Sequence, residues 1–149
     1  MKKVIGIFIV LIALVGAAWY FWPQDQGTIT TEDGVVWHNA DPDFIKLDLI
    51  TPGVTVLPKF TVTGEARGVW FFEGSFPVEV LDSEGNQLTI APAQAQGEWM
   101  TEDFVRFSVV LNVGEYSGPA TLVLFKDNPS GLPEHDASLS IPIDVFDVN

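Results

Sequence analysis

The sequence predicts an all-β domain, an antiparallel β-sandwich of about seven strands, preceded by one N-terminal membrane-spanning helix. Three observations support this prediction: an unbroken apolar run near the N-terminus, short segments in which apolar and polar residues alternate, and turn-forming clusters between those segments. The predicted boundaries are an anchor at residues 1–22, a tether at 23–43 and a folded domain at 44–149.

The N-terminal apolar run extends from Val4 to Trp22 and contains no charged side chain. A helix of this length rises about 28 Å, close to the hydrocarbon thickness of a bilayer. Residues 19–22 are all aromatic, and such residues are enriched at membrane interfaces. Lys2 and Lys3 precede the run, and positively charged flanks remain in the cytoplasm. The sequence therefore predicts a single-pass protein of the cytoplasmic membrane, with the C-terminal domain outside.

A cleaved signal peptide is the alternative interpretation of this run. The small residues at 15–17 resemble a cleavage site. The run continues beyond them into bulky aromatic residues, which favours a retained anchor. In both interpretations the rest of the chain is exported across the membrane.

Charge and cysteine content limit the classes of partner. The chain has a formal net charge of −13, from 20 acidic and 7 basic residues, and it has no cysteine. An acidic surface repels phosphates, so nucleic acid is excluded as a partner and basic partners or divalent cations are favoured. The missing cysteine excludes disulfides, thiolate metal sites and the lipid attachment of a bacterial lipoprotein.

The segment at 23–43 is polar and has no sustained periodicity, which predicts a flexible tether. A flexible chain of about 20 residues has a mean reach of roughly 25 Å, enough to hold the domain near the membrane but off its surface. Trp37 and His38 interrupt the polar composition, so part of this segment is expected to pack on the domain.

After Phe44 the hydrophobic pattern takes a period of two, which is typical of strands with one buried face. Turn clusters separate the segments, as at 51–53 and 127–131. Because Pro142 cannot donate a ladder hydrogen bond, the last strand is expected to be an edge or to pair on one side only at that residue. The alternating segments lie at 45–49, 60–63, 76–80, 88–90, 105–111, 120–124 and 139–145.

Three blocks in this region resemble the immunoglobulin-like domain of bacterial spore germination proteins. They are VTGEARG at 62–68 with WFFEGSFPV at 70–78, then GEWMT at 97–101 followed by Phe104, then LFKDNPSGLPE at 124–134. The resemblance covers about residues 44–146. It implies an immunoglobulin-like sandwich, exported and often joined to an anchor or to other envelope domains. It brings no catalytic residues, and this chain has no second domain that would point to germination itself.

Consecutive aromatic residues are the first candidate site. Because Trp70, Phe71 and Phe72 are adjacent, both faces of a strand there carry a large ring, and Trp99 with Met100 forms a similar pair. Rings left exposed on a sheet can stack on sugars or anchor a partner protein. The predicted binding residues are Trp70, Phe72 and Trp99. The alternative is that the loop after residue 127 or the tether covers the second face.

A cluster of oxygen-bearing side chains is a second and weaker candidate. Asp127, Asn128, Glu134 and Asp136 lie within ten residues, and Ca²⁺ prefers such ligands. Their spacing differs from that of an EF-hand loop. The alternative is a loop in which Asp127 or Asn128 hydrogen-bonds its own main chain.

The sequence predicts that the protein is not an enzyme. His135 is followed by Asp136, but no Gly-x-Ser-x-Gly motif or comparable nucleophile context accompanies it. The predicted function is a non-catalytic, membrane-anchored module that binds a protein or another component of the cell envelope. The alternatives are a carbohydrate- or peptidoglycan-binding domain that uses exposed aromatic residues, a hydrolase that uses His135, and an oligomer assembled through an edge strand.

Overall fold

A computed structural model describes residues 27–147. The predicted anchor at 1–22 lies outside the described residues. Within residues 27–147, no helix has the length and apolar character needed to cross a membrane. The described chain consists of ten β-strands and two short 3₁₀ turns, at Gly68–Trp70 and Pro133–His135. The strands are β1 (Thr28–Thr30), β2 (Val36–His38), β3 (Ile45–Leu47), β4 (Val54–Val56), β5 (Lys59–Arg67), β6 (Ser75–Asp82), β7 (Gln87–Ala95), β8 (Phe104–Asn112), β9 (Gly118–Phe125) and β10 (Ser138–Val145).

The strands form two layers that share hydrogen bonds at one corner. Their order is β1-β2-β10-β9-β6-β7-β8-β5-β3, and all neighbours in this order are antiparallel. The larger layer ends at β7, and the smaller layer contains β8, β5 and β3. Only Gln94 and Ala95, at the end of β7, pair with β8. This corner lets one face of each layer turn towards the other.

Alternating apolar residues from both layers form one core. Phe76 of β6 and Phe107 of β8 meet with ring centroids 4.9 Å apart and the planes nearly perpendicular. Both rings are fully buried, and burying a side chain of this kind contributes about 1.5–3 kcal/mol. The predicted all-β, antiparallel fold is confirmed, and its sandwich-like core is filled by the residues whose period of two predicted it.

Each of the seven predicted segments corresponds to a strand, and three further strands, β1, β2 and β4, were not predicted. Each of the three has only three residues. β3 is equally short, but the alternation at 45–49 extends beyond its three residues, whereas β1, β2 and β4 have no such extension and depend on the main chains beside them. The predicted number of strands was therefore too low.

The segment predicted as a tether enters the sheet at Thr28. β2 pairs with β10, with His38 opposite Ser138 and Trp37 opposite Leu139. Val35 is buried in the core, and Trp37 packs against it. From β1 onward this segment is part of the sheet, and Val35 and Trp37 attach it to the core, whereas Ile29 of β1 is exposed. The interruption at Trp37 and His38 was the only sequence signal of this arrangement.

Pro142 lies where the outer side of β10 changes partner. β2 pairs with Ser138–Ser140, whereas β4 runs parallel to Ile143–Val145. At Pro142 the carbonyl oxygen accepts a hydrogen bond of 2.8 Å from the Gly53 N–H, and proline itself has no N–H to donate there. On the other side β9 pairs along the whole of β10.

Candidate functional site

Trp70 belongs to the core and contributes almost nothing to the exposed surface. Its side chain is 2% exposed, and its ring lies 5.9 Å from that of Phe76 in an edge-on arrangement. The main chain of Trp70 is also covered, because its carbonyl oxygen accepts a 3.0 Å hydrogen bond from Asp127 N–H. The prediction that Trp70 binds a ligand is therefore corrected. The 3₁₀ turn at Gly68–Trp70 ends the strand alternation, so Trp70 and Phe71 both point inward.

Phe72 is the exposed member of the three consecutive aromatic residues. It is 42% exposed and begins a two-residue hairpin that ends at Ser75. Phe72 and Ser75 exchange two main-chain hydrogen bonds, of 2.9 and 3.1 Å. Between them Glu73 and Gly74 have φ values of 51° and 79°, as a type I′ turn requires. Glu73 holds a left-handed conformation that glycine or asparagine adopts at lower cost.

Trp99 is half-buried and lies against the same turn. The edge of its indole, at Cδ1 and Nε1, passes over Gly74, where a side chain would come within 3.5 Å of both atoms. The indole N–H makes no hydrogen bond to the described residues. Met100 follows with 73% of its side chain exposed. Phe72, Glu73, Trp99 and Met100 are called the turn patch below.

The main chain beneath the turn patch is held closely. A Cβ at Gly68 would overlap the carbonyl oxygens of Thr101 and Trp99. Within the segment, the Thr101 N–H donates to the Trp99 carbonyl at 2.8 Å, and the Met100 N–H donates to Glu98 Oε1 at 3.1 Å. The turn patch therefore lies on a segment seated on the domain.

The loop that contains the predicted calcium ligands is closed by hydrogen bonds. Asn128 Nδ2 donates to Asp136 Oδ1 at 2.7 Å and to the Leu132 carbonyl at 2.9 Å, and Asn128 Oδ1 accepts from the Ser130 N–H at 3.2 Å. This is the Asx-type loop of the alternative interpretation. Asp127 and Glu134 take no part in these bonds. Among residues 27–147, no group of three or more His, Asp or Glu side chains is arranged to hold a metal ion. The calcium site remains a prediction that this geometry does not support.

His135 has no catalytic arrangement in the described part of the chain. It is exposed, and its hydrogen bonds are made by its main chain: the carbonyl oxygen accepts from Lys126 Nζ at 3.2 Å, and the N–H donates to the Leu132 carbonyl at 3.0 Å. No serine hydroxyl in residues 27–147 hydrogen-bonds its ring, so a nucleophile–base pair is not formed there.

A cleft of about 240 Å³ separates this loop from the segment at 39–44. Its lining includes Phe44, Trp70, Lys126 and His135. Asn39, at φ 47°, closes one side and donates from Nδ2 to the Asp136 carbonyl at 3.0 Å. Its Oδ1 is buried and has no partner among the described residues. Sequence reasoning missed Asn39, because only the fold brings residue 39 beside residue 136.

The outer face of the smaller layer carries paired charges, called the charged face below. Arg106 of β8 donates to both carboxylate oxygens of Asp48 at 2.9 and 2.6 Å, and Thr63 donates to the same carboxylate at 2.6 Å. The hydrogen bond from Arg106 is the main reason that the pKa of Asp48 falls from 3.8 to about 2. Lys46 pairs with Glu65 at 3.4 Å beside them. This face is solvated and satisfied by its own residues.

Comparison with known proteins identifies one family. The family described as the immunoglobulin-like domain of bacterial spore germination matches residues 46–132. This match confirms the resemblance carried by the three sequence blocks. No curated protein matches the chain. The described residues contain an antiparallel, immunoglobulin-like domain with an exposed turn patch, and neither the family nor the geometry supplies a catalytic set.

Proposed function

The chain belongs to the family of immunoglobulin-like domains of bacterial spore germination, and from this membership we propose that it is a non-catalytic binding module, anchored in the cytoplasmic membrane by its N-terminal segment, that contacts a protein of the cell envelope. The domain lies outside the membrane in this proposal, because Lys2 and Lys3 precede the predicted anchor.

The turn patch is the observation that carries the proposal. Aromatic residues and methionine are enriched at protein interfaces, where they supply large contact areas. Phe72 and Met100 are 42% and 73% exposed. Trp99 lies between the core and solvent, against Gly74. A surface already held in place loses little conformational entropy on binding, which favours its use as an interface.

The short connection to the predicted anchor supports a partner at the membrane surface. With an anchor that ends at Trp22, five residues, Pro23 to Gly27, precede β1. Five extended residues span at most about 17 Å. The β1 end of the domain then lies within about 17 Å of the predicted anchor, less than the mean reach of roughly 25 Å expected for a flexible tether over 23–43.

Protease accessibility tests the localisation. The full chain, with an epitope tag after Asn149, is expressed in bacterial cells that are then converted to spheroplasts. We expect an external protease to remove the tag from intact spheroplasts and carbonate washing to leave the protein in the membrane fraction. A tag that is cut only after lysis would contradict the orientation, and release by carbonate would contradict the anchor.

Site-specific cross-linking tests the binding surface. A photoreactive amino acid at Met100 is compared with the same amino acid at Leu49, which is 82% exposed and belongs to neither the turn patch nor the core. We expect a discrete cross-linked species from position 100 that Trp99→Ala removes. The same products from both positions would show non-specific contact and refute the proposal.

A glycan is the second candidate ligand, favoured by the Trp99 indole N–H that makes no hydrogen bond to the described residues. An aromatic ring with a free polar edge suits sugar stacking. Binding of the full chain to purified peptidoglycan, with Trp99→Ala and Met100→Ala as matched variants, tests this candidate. Retention lost in Trp99→Ala and kept in Met100→Ala would favour a glycan, and no retention of the unchanged chain would exclude peptidoglycan.

A further inference from the structure

The outer faces of the two layers differ in chemistry. The charged face of the smaller layer follows the usual pattern of an antiparallel sheet, with polar residues turned to water. On β6 of the larger layer, Phe76, Val78 and Val80 enter the core, so Pro77, Glu79 and Leu81 point outward. On the neighbouring strands β7, β6 and β9 most outward positions are apolar, which departs from the usual pattern, whereas β10 turns Ser138, Ser140 and Asp144 outward.

Glu79 lies at the centre of this outer surface, and its nearest neighbours on the surface are apolar. The register places it opposite Ile90 of β7 on one side and Val123 of β9 on the other. Pro77 and Leu81 precede and follow it on the same face of β6. The name apolar face is used below for the surface around Glu79 formed by Pro77, Leu81, Ile90, Pro92, Val123 and Phe125.

The side chains of the apolar face shield parts of one another from water. Val123 is 5% exposed although it lies outside the main core cluster, on the outward side of β9 opposite Glu79, so neighbouring side chains of the outer face cover it. Ile90 beside Glu79 is 52% exposed, which leaves apolar surface accessible. Burial raises the pKa of the Glu79 carboxyl. Apolar surroundings disfavour the charged form of an ionisable group unless a nearby cation stabilises that form.

No cation of the described chain compensates Glu79. The carboxylate makes no hydrogen bond or ion pair with residues 27–147. Lys46 and Arg106 pair with carboxylates of the charged face. Arg67 donates to the main-chain oxygens of Asp43 and Glu102, and Lys126 donates to that of His135. Lys59, at the start of β5 in the smaller layer, forms no ion pair with the described residues. The apolar face thus presents an acidic group for which the described domain supplies no basic partner.

We propose that the apolar face is a docking surface for a second protein, and that this protein presents a lysine or arginine, surrounded by apolar side chains, which pairs with Glu79. Charge complementarity selects this occupant. A second copy docked symmetrically about Glu79 would bring two carboxylates together, which is unfavourable. Anionic lipid headgroups are repelled by a chain of net charge −13, whereas a basic protein is attracted to it.

This inference goes beyond the proposed function, because it concerns a different surface and predicts the chemistry of the partner. The turn patch lies at the hairpin before β6 and on the segment at 97–101, whereas the apolar face lies on the outside of β7, β6 and β9. Substitution of Trp99 is therefore expected to leave docking at the apolar face unchanged. A failure of one proposal would not decide the other.

Methyl NMR of the full chain in phosphatidylcholine nanodiscs tests the proposal. The probe is a synthetic peptide with one central lysine flanked by valine and leucine, and the reference peptide has glutamate in place of lysine. We expect the lysine peptide to shift the methyl signals of Ile90 and Val123 in a saturable manner, and the glutamate peptide to leave them unchanged. Val110 is the matched reference methyl, because it is 53% exposed on the outside of the smaller layer.

Two variants that each remove one negative charge distinguish specific pairing with Glu79 from general attraction to an acidic protein. Glu79→Gln is expected to weaken binding of the lysine peptide by about tenfold, because the cation then enters an apolar surface without a partner. Asp144→Asn, at an exposed position on the outside of β10, is expected to weaken it by less than about twofold. Glu79→Gln is expected to fold, because it replaces a carboxylate that is already partly withdrawn from water by a neutral side chain.

Three results would overturn the proposal. They are equal loss of binding in Glu79→Gln and Asp144→Asn, shifts at Val110 as large as those at Ile90, and no saturable shift with the lysine peptide. The first two would show general attraction to an acidic protein. The third would show that the apolar face does not recognise the stated chemistry.

Discussion

Gly68 and Thr101 are in direct main-chain contact, and the contact leaves no room for a side chain at position 68. A Cβ at Gly68 would overlap the carbonyl oxygens of Thr101 and Trp99. The contact joins the 3₁₀ turn that buries Trp70 to the segment that carries the turn patch. Core packing and the candidate binding surface therefore depend on the same close approach.

Gly68→Ala is expected to destabilise the domain by about 1–3 kcal/mol, because overlap with a rigid main chain forces both segments apart. Urea unfolding of the purified full chain measures the change. Gly27→Ala is the matched control, because a Cβ at Gly27 meets no atom within 4 Å. Equal stability of the two variants would show that the segment at 99–101 moves freely.

Trp70→Ala and Phe72→Ala are expected to differ strongly in stability. Trp70 is a buried core side chain, and its truncation costs about 3–5 kcal/mol. Phe72 is 42% exposed and lies outside the core cluster, so we expect a loss of less than about 1 kcal/mol. Denaturant unfolding of both variants checks this order. Similar losses would place Phe72 in the core and remove it from the turn patch.

Glu73→Gly is expected to stabilise the domain. Glu73 holds φ 51° in the type I′ turn, and a residue other than glycine pays roughly 1 kcal/mol or more for such a conformation. The midpoint of thermal unfolding should therefore rise relative to the unchanged chain. Glu84→Gly provides the control in an exposed turn, since Glu84 is not among the residues with positive φ. A lower midpoint for Glu73→Gly would show that the Glu73 side chain contributes more than its conformation costs.

Asp48 is expected to make stability depend on acid pH. Its pKa falls from 3.8 to about 2 in the folded chain, mainly through the Arg106 hydrogen bond. A lowered pKa means that the folded state favours the carboxylate, so this contribution is present above pH 3.8 and is lost as pH falls towards 2. The difference in unfolding free energy between the unchanged chain and Asp48→Asn should shrink over this window.

Thermal unfolding across the pH series measures the Asp48 contribution. Asp144→Asn is the control, because the Asp144 carboxylate makes no hydrogen bond to the described residues. A difference between the unchanged chain and Asp48→Asn that stays constant from pH 5 to pH 2 would contradict the linkage to Asp48.

The candidate sites show where sequence reasoning stops. Phe72 is exposed and Trp99 is half-buried, so both are accessible to a partner, and their role in binding stays a prediction. Trp70 does not, because a 3₁₀ turn places its ring beside Phe76. Glu79 was not predicted as a site. Alternation along β6 shows that it points outward, but its environment depends on Ile90 and Val123 in other strands.

Local pattern in the sequence determined the all-β class, the seven predicted strands and the family, because a period of two and the turn residues act between neighbours in the chain. Tertiary structure decided the strands β1, β2 and β4, the closing of the loop at 127–137 and the two outer faces. β2 is a strand because β10, about 100 residues later, lies beside it. Burial at Trp70 and the missing cation at Glu79 likewise depend on contacts between distant segments, and such contacts exist only after the layers have packed.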